Sequence, residues 1–389
     1  MRRYPMFLLA YAFTAIMVGT TLPTPMYALY AETMHFEVLT TTVIFATYAA
    51  GVLFALLVFG RWSDVLGRRP VLLAGVVFAV ASAVVFLTAD SVAVLLVGRV
   101  LSGLSAGVFT GTATAAVIEA APPAWRNRAA AVATVANMGG LGGGPLLAGF
   151  LVQYAPDPLR LSFVVHIAMA VLAATAVAVV PETSPRHGRL GLQRMSVPAQ
   201  VRPMFVIASL AAFAGFAVTG LFGAVSPSFL ANVIGIDNHA IAGLLSSSVF
   251  LTSAVAQVVA REMNARRAVA VGCAILVLGM ATLAVALHFA SLTGLIAAAV
   301  ISGIGQGISF SRGLAAVLEH TPADRRAELS SSYFVVAYVA IALPVVGEGF
   351  ATHVWGLRTA GVTFAVAVAV LATVCLAAIL IQESRQTEA

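Results

Sequence analysis

Twelve apolar runs, each long enough to cross a hydrocarbon layer about 30 Å thick, dominate this chain and leave it little else to fold with. They lie near residues 6–29, 39–59, 70–88, 92–118, 129–152, 161–180, 203–230, 240–260, 268–288, 292–318, 329–351 and 359–381. Inside a bilayer each backbone N–H and C=O needs a partner within the protein, and an isolated run of this length satisfies them as a helix. Of 389 residues, 61% are hydrophobic and 9% charged, and the mean hydropathy is +1.01. Those values exclude a set of soluble domains and predict an all-α membrane protein with twelve transmembrane helices. The first run is too long for a signal-peptide core and is read as uncleaved. Pro23 and Pro25 interrupt its outer half, a break tolerated where neighbouring groups re-satisfy the freed backbone.

The charges that remain fix the topology. Lysine is absent, so every basic side chain other than histidine is arginine. Arg2, Arg3, Arg61, Arg68, Arg69, Arg126, Arg128, Arg186, Arg189, Arg194, Arg202, Arg261, Arg266, Arg267, Arg325, Arg326 and Arg385 fall on one side of a twelve-span chain, against Arg160 and Arg358 on the other. The excess predicts cytoplasmic termini, in a bacterial inner membrane. A net charge of +6 would point to nucleic acid in a soluble chain; here it is a topology signal, and no nucleic-acid partner is expected. Cys273 and Cys375 sit inside apolar runs without metal-ligand spacing and read as core filler.

The least apolar stretch of any length, 182–202, contains Pro185, Pro198 and four arginines and reads as a cytoplasmic linker. It separates residues 1–181, a first six-helix bundle, from 203–389, a second. An internal repeat supports this halving. Laying 102–126 on 302–326 gives nine identities in 25 positions without a gap, among them Gly103/Gly303, Gly107/Gly307, Glu119/Glu319, Pro122/Pro322 and Arg126/Arg326. Two repeated bundles imply a substrate site near the midplane and motion of one bundle against the other. The repeat is asymmetric in its charge, because Asn264 stands where the first half has Asp64.

Three motifs carry the functional reading. Between the second and third runs, Gly60-Arg61-Trp62-Ser63-Asp64-Val65-Leu66-Gly67-Arg68-Arg69-Pro70 places four charges and two turn-forming glycines in a short aqueous loop. Gly60, Asp64, Gly67, Arg68 and Leu72, with Arg69 for Lys, resemble the loop between helices 2 and 3 of the major facilitator superfamily; Trp62 and Val65 depart from its Leu and Arg. On helix 4, Leu95, Arg99, Gly103 and Gly107 resemble a second motif of that superfamily, with Ser102 and Ser105 as departures. Arg99 seven residues into a span is costly unless it faces a polar cavity or partner; the bland reading is an arginine snorkelling to the outer surface. On helix 5, Gly140-x-x-x-Gly144-Pro145-x-x-Ala148-Gly149 resembles the signature of drug/proton antiporters, with Ala148 for one Gly. Small-residue packing with a proline bend is the plain alternative. Pro181-Glu182-Thr183 resembles the superfamily's usual exit from helix 6.

The resemblance implies a major facilitator fold, alternating access, and export of small amphipathic molecules against protons. It also implies that Asp64 bonds to the inner end of helix 11 and is held by Arg68 and Glu119, so Gly60, Asp64, Gly67, Arg68, Arg69 and Glu119, with Gly140, Gly144, Pro145 and Gly149, are gating candidates. Helix 1 lacks the acidic residue that some drug/proton antiporters carry, so the proton site does not transfer. Among intramembrane ionisable residues, Arg99 and Glu348 are the proton-coupling candidates. Arg312 is an inner gate or a snorkelling residue, and His166 an interfacial or packing histidine. Phe13, Phe109, Phe216, Phe222, Gln306, Phe310 and Arg312 are the substrate-cavity candidates.

The expected partners are a small-molecule substrate, protons and the lipid bilayer, with the chain a monomer, no cofactor and no metal. No cluster of His, Asp, Glu or Cys across facing helices is in place for an enzyme, and no phosphate-binding glycine loop followed by Lys for ATP coupling. The alternatives are a dedicated exporter or importer of one metabolite such as a sugar and, outside transport, a receptor or scaffold.

Overall fold

A computed structural model describes residues 4–187 and 190–387; Arg2, Arg3 and Arg189 lie outside the described residues, as does the side chain of Arg385. The described chain is helical, and twelve of its helices are long and apolar enough to span a membrane. They are α1 (Tyr4–Thr21), α2 (Val38–Phe59), α3 (Arg68–Leu87), α4 (Val92–Glu119), α5 (Arg126–Tyr154), α6 (Leu161–Val179), α7 (Arg202–Ala224), α8 (His239–Val259), α9 (Ala265–His288), α10 (Leu292–Glu319), α11 (Arg326–Trp355) and α12 (Leu357–Thr387). The chain is therefore a multi-pass membrane protein.

Proline and glycine set the exceptions to regular helix. At Pro23 and Pro25 the first span breaks into a 3-10 turn, Thr24–Met26, and resumes as Tyr27–Met34. Helix α7 ends at Ala224, six residues earlier than the apolar run predicts, because Pro227 lacks an N–H and forces a new start. A short helix, Ser226–Phe229, and a wide π turn, Leu230–Ile234, follow, closed by Gly235 at φ 79°. Pro145 and Pro344 lie inside α5 and α11 without ending them.

Contacts divide the chain into two compact units. Unit 1 holds α1, α2 from Ile44, α3 to α6, the linker as far as Arg194, and His239–Ser247 at the start of α8. Within it α1 is central, packing on α4, α5 and α6, while α3 packs on α4 and α6. Unit 2 holds Glu37–Val43, Met195–Asn238 and the chain from Ser248 onward. There α7 takes the central place, packing on α10, α11 and α12, and α9 packs on α10 and α12. The repeat seen in the sequence is thus a repeat of packing. Gly103 and Gly107 let α4 approach the backbone of α2 at Tyr48 and Val52, and Gly303 and Gly307 let α10 approach α8 at Val249 and Ser253. A Cβ at any of the four would overlap those carbonyls, which is the small-residue contact that membrane helices use for close approach.

Candidate functional site

The loop before α3 is built around one guanidinium. After Gly60 and Arg61 the chain makes a single helical turn, Trp62–Leu66, and reaches Gly67 at φ 110°, from which α3 starts. Arg68 then extends back under that turn. Its Nη1 donates to Asp64 Oδ1 at 2.6 Å and Ser63 Oγ at 2.7 Å; its Nη2 and Nε donate to the two oxygens of Glu119 at 2.9 and 3.3 Å. Fork-to-fork pairing of this kind is strong and directional, and the Arg68 side chain is only 12% exposed. The expected grouping of Asp64, Arg68 and Glu119 is present in unit 1.

A fourth member, Glu182, was legible only as a helix exit. Its carboxylate accepts the backbone N–H groups of Arg68 (2.8 Å), Arg69 (3.1 Å), Thr183 (3.0 Å) and Ser184 (2.9 Å). Gly67, the N-cap of α3, has no side chain with which to cap the helix, so Glu182 supplies the cap from more than a hundred residues away. It also explains the glycine: a Cβ on Gly67 would strike the Glu182 carboxylate. Partial burial pushes this carboxyl toward neutrality, but the four N–H donors outweigh it and hold its pKa below the usual carboxylate value. Thr183 Oγ1 donates to Glu119 at 2.7 Å and Ser184 Oγ to the Asp64 carbonyl at 3.2 Å. Further along the linker, Gln193 N–H bonds to the Leu57 carbonyl at 2.7 Å and packs against Gly60. Arg69 joins through its backbone alone, and Trp62 packs edge-on to Phe59.

Arg99 does not snorkel. It is 2% exposed, donates from Nη1 to the Thr20 carbonyl at 2.6 Å, and lies over the rings of Tyr48 (4.6 Å) and Phe45 (5.6 Å). The acceptor exists because Thr20 closes the last turn of α1, where carbonyls have no helical partner. Cation–π contact adds to its solvation. Arg99 Nε and the hydroxyls of Tyr27 and Tyr30 have no partner among the described residues. One turn further along α4, Ser102 meets His166 across a small pocket shared with Thr20 and Ser82. His166 is buried against Gly19, a packing position within unit 1 and not an interfacial one.

On α5 the antiporter-like stretch has two faces. Gly140 and Gly144 press on the α1 backbone at Thr14 and Val18, while Gly149 lies against His239 and Gly243 at the start of α8. Pro145 removes the N–H that would bond Leu141, and Thr21 Oγ1 donates to that freed carbonyl at 2.7 Å. Gly139 and Gly143 face open space or ordinary contact, so only some of the glycines are sterically required.

In unit 2, Glu348 is 3% exposed, and its Oε1 has no partner among the described residues. One residue on, Gly349 packs on Leu39 and Thr42; His353 pairs with Glu37 at 3.0 Å. Arg312 is tied down: its Nη1 donates to the Arg261 carbonyl at 2.8 Å and its Nη2 stands 4.0 Å from Glu319. Phe310 stacks on Tyr333 and meets Phe216 edge-on, and Gln306 packs on Gly215. Phe222 is fully buried. In unit 1, Phe13 and Phe109 are fully buried, with Phe109 wedged against Gly75 of α3. Phe13, Phe109 and Phe222 are packed without exposure, while Phe216 and Phe310 keep a small exposed fraction. Cys273 and Cys375 are free thiols in one buried apolar cluster with Ala211, Val269 and Ile379.

Known proteins share this architecture. The sequence matches the family model described as Major Facilitator Superfamily over residues 7–344 and again over 207–389. It is 36% identical over 112 residues to the class E tetracycline resistance protein of Escherichia coli, covering 28% of this chain and 27% of that one. It is 29% identical over 154 residues to multidrug resistance protein 1 of Bacillus subtilis, covering 39% of each. Myo-inositol transporter 1A of Cryptococcus neoformans is 30% identical over 164 residues, covering 41% of this chain and 27% of the relative. The matched stretches thus span 27% to 39% of these relatives' own lengths.

Among solved structures, a bacterial homologue of the human lysosomal transporter Spinster superposes with a TM-score of 0.73 at 16% identity, over 97% of each chain. A mutant of the nucleoside transporter NupG does so with a TM-score of 0.74 at 10% identity, over 96% of this chain and 99% of the other. At those identities the likeness is one of fold. With twelve spans, a packing repeat and a family match that runs the length of the chain, this protein belongs to the major facilitator superfamily.

Proposed function

We propose that this protein is a proton-coupled secondary transporter that exports small amphipathic molecules by alternating access. Its two six-helix bundles, 1–181 and 203–389, rock about the linker 182–202. The observation that carries export over uptake is the Gly140–Gly149 stretch of α5. Its glycines and proline are in the antiporter register, Gly140 and Gly144 leave no room for a side chain, and Thr21 repairs the proline break. Small residues of this kind let membrane helices approach closely, the contact on which the proposed motion turns. The tetracycline and multidrug resistance relatives support the same reading.

In this reading Asp64, Arg68, Glu119 and Glu182 latch the inner side of the first bundle, with Gly60, Gly67 and Arg69 shaping the loop. Glu348, a membrane carboxyl with one oxygen unpartnered among the described residues, carries the coupling proton, and Arg99 keeps a fixed positive charge in the other bundle. Substrate is expected to meet Phe216, Gln306 and Phe310. The test is accumulation of a panel of amphipathic dyes in cells making the protein, with and without a proton uncoupler. Lower accumulation that the uncoupler restores supports the proposal; equal accumulation in both conditions rejects it.

A second reading, a dedicated carrier of one metabolite such as a sugar, draws on the match to the myo-inositol transporter. It predicts no effect on any dye and saturable transport of a single polyol or sugar.

A further inference from the structure

Between α1, α3, α4 and α6, inside unit 1, lies a polar cavity that plays no part in the proposed transport. Thr20 of α1, Ser82 of α3, Ser102 and Ser105 of α4 and His166 of α6 line it, and Ala79 of α3 adds an apolar patch. All five polar side chains are buried. The cavity measures about 10 Å³, counted as room for the centre of a water-sized sphere, which is the space a single water needs. A Cβ on Gly19 would overlap the His166 ring, so the imidazole is lodged against the α1 backbone.

The hydrogen-bonding capacity of that lining is unevenly spent. Thr20 Oγ1 donates to the Met17 carbonyl at 2.7 Å, Ser82 Oγ to that of Gly98 at 2.8 Å and Ser105 Oγ to that of Gly75 at 2.7 Å, so these three hydroxyls can now only accept. Ser102 Oγ and His166 Nε2 have no partner among the described residues, and a buried polar atom left so is costly. A bound cation could accept nothing from Ser102, and a halide could donate nothing to His166. A water does both. We propose that the cavity holds one ordered water, which accepts the Ser102 hydroxyl and donates to His166 Nε2, the imidazole keeping its own proton on Nδ1. The water's second proton has the oxygens of Thr20, Ser82 and Ser105 as acceptors. Ser102 is one turn from Arg99, and Thr20, whose carbonyl anchors Arg99, lies on the same cavity. The water thus ties α6 to the turn of α4 that presents the buried charge, a bridge enthalpically close to a direct hydrogen bond.

The full-length protein in lipid, carrying isotopically labelled histidine, provides the test by solid-state nuclear magnetic resonance with magnetisation started on water protons. His166→Gln identifies the His166 resonances by their loss. In the wild type, magnetisation should pass from water to His166 Nε2, which should show the shift of a bare, hydrogen-bonded nitrogen, with the proton on Nδ1. Ser102→Val and Ala79→Val, which fill the cavity from α4 and from α3, should each abolish that transfer. His353, exposed near the end of α11, should keep its own transfer from water in both variants.

No transfer to His166 in the wild type would overturn the proposal and mark the cavity as dry. Transfer that survives in both Val variants would overturn it as well, since water would then reach the ring by another route. A proton found on Nε2 would contradict the stated bonding, because the ring would then donate to the water. If Ser102→Val does not fold, Ala79→Val decides the matter on its own, since it leaves Ser102 and His166 in place.

Discussion

The two repeated loops of this protein solve one problem, starting a membrane helix in water, by different means. Before α9, Asn264 caps its own helix, accepting the Arg267 N–H at 3.2 Å. Nearby, the Arg261 side chain pairs with the adjacent, exposed Glu262. Before α3, the N-cap is a bare glycine, and the helix start is held by Glu182 from the linker, while Arg68 ties Asp64 to Glu119 at the end of α4. The second loop caps its helix locally and is tied to one other segment by a single bond, Arg312 of α10 to the Arg261 carbonyl. The first is a junction of three chain segments, so its geometry depends on where α4 and the linker stand. A local cap is indifferent to helix movement; a junction is sensitive to it. In the proposed function it is therefore the first loop that carries the switch.

The largest effect should come from Asp64→Asn. It leaves the fold's apolar spans untouched but removes the charge that Arg68 bridges to Glu119, and transport should fall at least about tenfold at unchanged membrane insertion. An effect of that size corresponds to about 1.4 kcal/mol, within reach of one charge-assisted hydrogen bond. The matching change in the other loop, Asn264→Ala, should leave transport near normal. Dye efflux at equal expression measures both, and equal losses in the two variants would dissolve the contrast between the loops.

Next in size is a contrast inside α5. Gly144→Val drives a branched side chain into the Val18 carbonyl and Thr21 hydroxyl, whereas Gly143→Val meets only ordinary contact. Turnover should collapse in the first and persist in the second, with substrate binding by Gly144→Val retained better than its turnover. Binding and transport falling together at Gly144 would point to a misfolded helix.

Acidification separates the loops more gently. Glu182 holds a lowered pKa in the folded protein, so its stabilisation is complete above the carboxyl's unfolded value and is lost as pH falls through the lowered folded one. Thermal stability of the wild type should therefore drop on acidification by more than that of Glu182→Gln, which has already lost the interaction. Asn264→Ala should cost about 1 kcal/mol of helix-cap energy at every pH, because no proton is involved. Thermal unfolding followed by circular dichroism at neutral and acid pH reads both slopes.

Legibility in the sequence followed the range of the interactions. Twelve spans could be read because length and apolarity are local properties, and the glycines of α4 and α10 because the repeat printed them twice. Pro23 and Pro25 announced their break, yet the early end of α7 was hidden, since Ser226–Ile234 continues the apolar run and Pro227 alone marks the change. Asp64, Arg68 and Glu119 came through a motif. Glu182 did not, because its donors Arg68 and Arg69 lie more than a hundred residues away, and nothing in Pro-Glu-Thr reveals what the carboxylate caps. For the same reason the sequence left Arg99 open between snorkelling and burial; only the approach of Thr20, Phe45 and Tyr48 settles it.

The repeat that duplicates the glycines does not duplicate the buried charges: Arg99 aligns with Ala299, and Glu348 with Ala148. If the chain is a proton antiporter, that asymmetry is where coupling resides, and proteoliposomes with an imposed pH gradient test it. The wild type should move substrate opposite to the proton flow that the gradient drives, and Glu348→Gln should abolish gradient-driven transport while leaving substrate exchange without a gradient largely intact. A Gln variant that still acidifies the opposite compartment in proportion to the substrate moved would contradict the assignment of the coupling proton to Glu348.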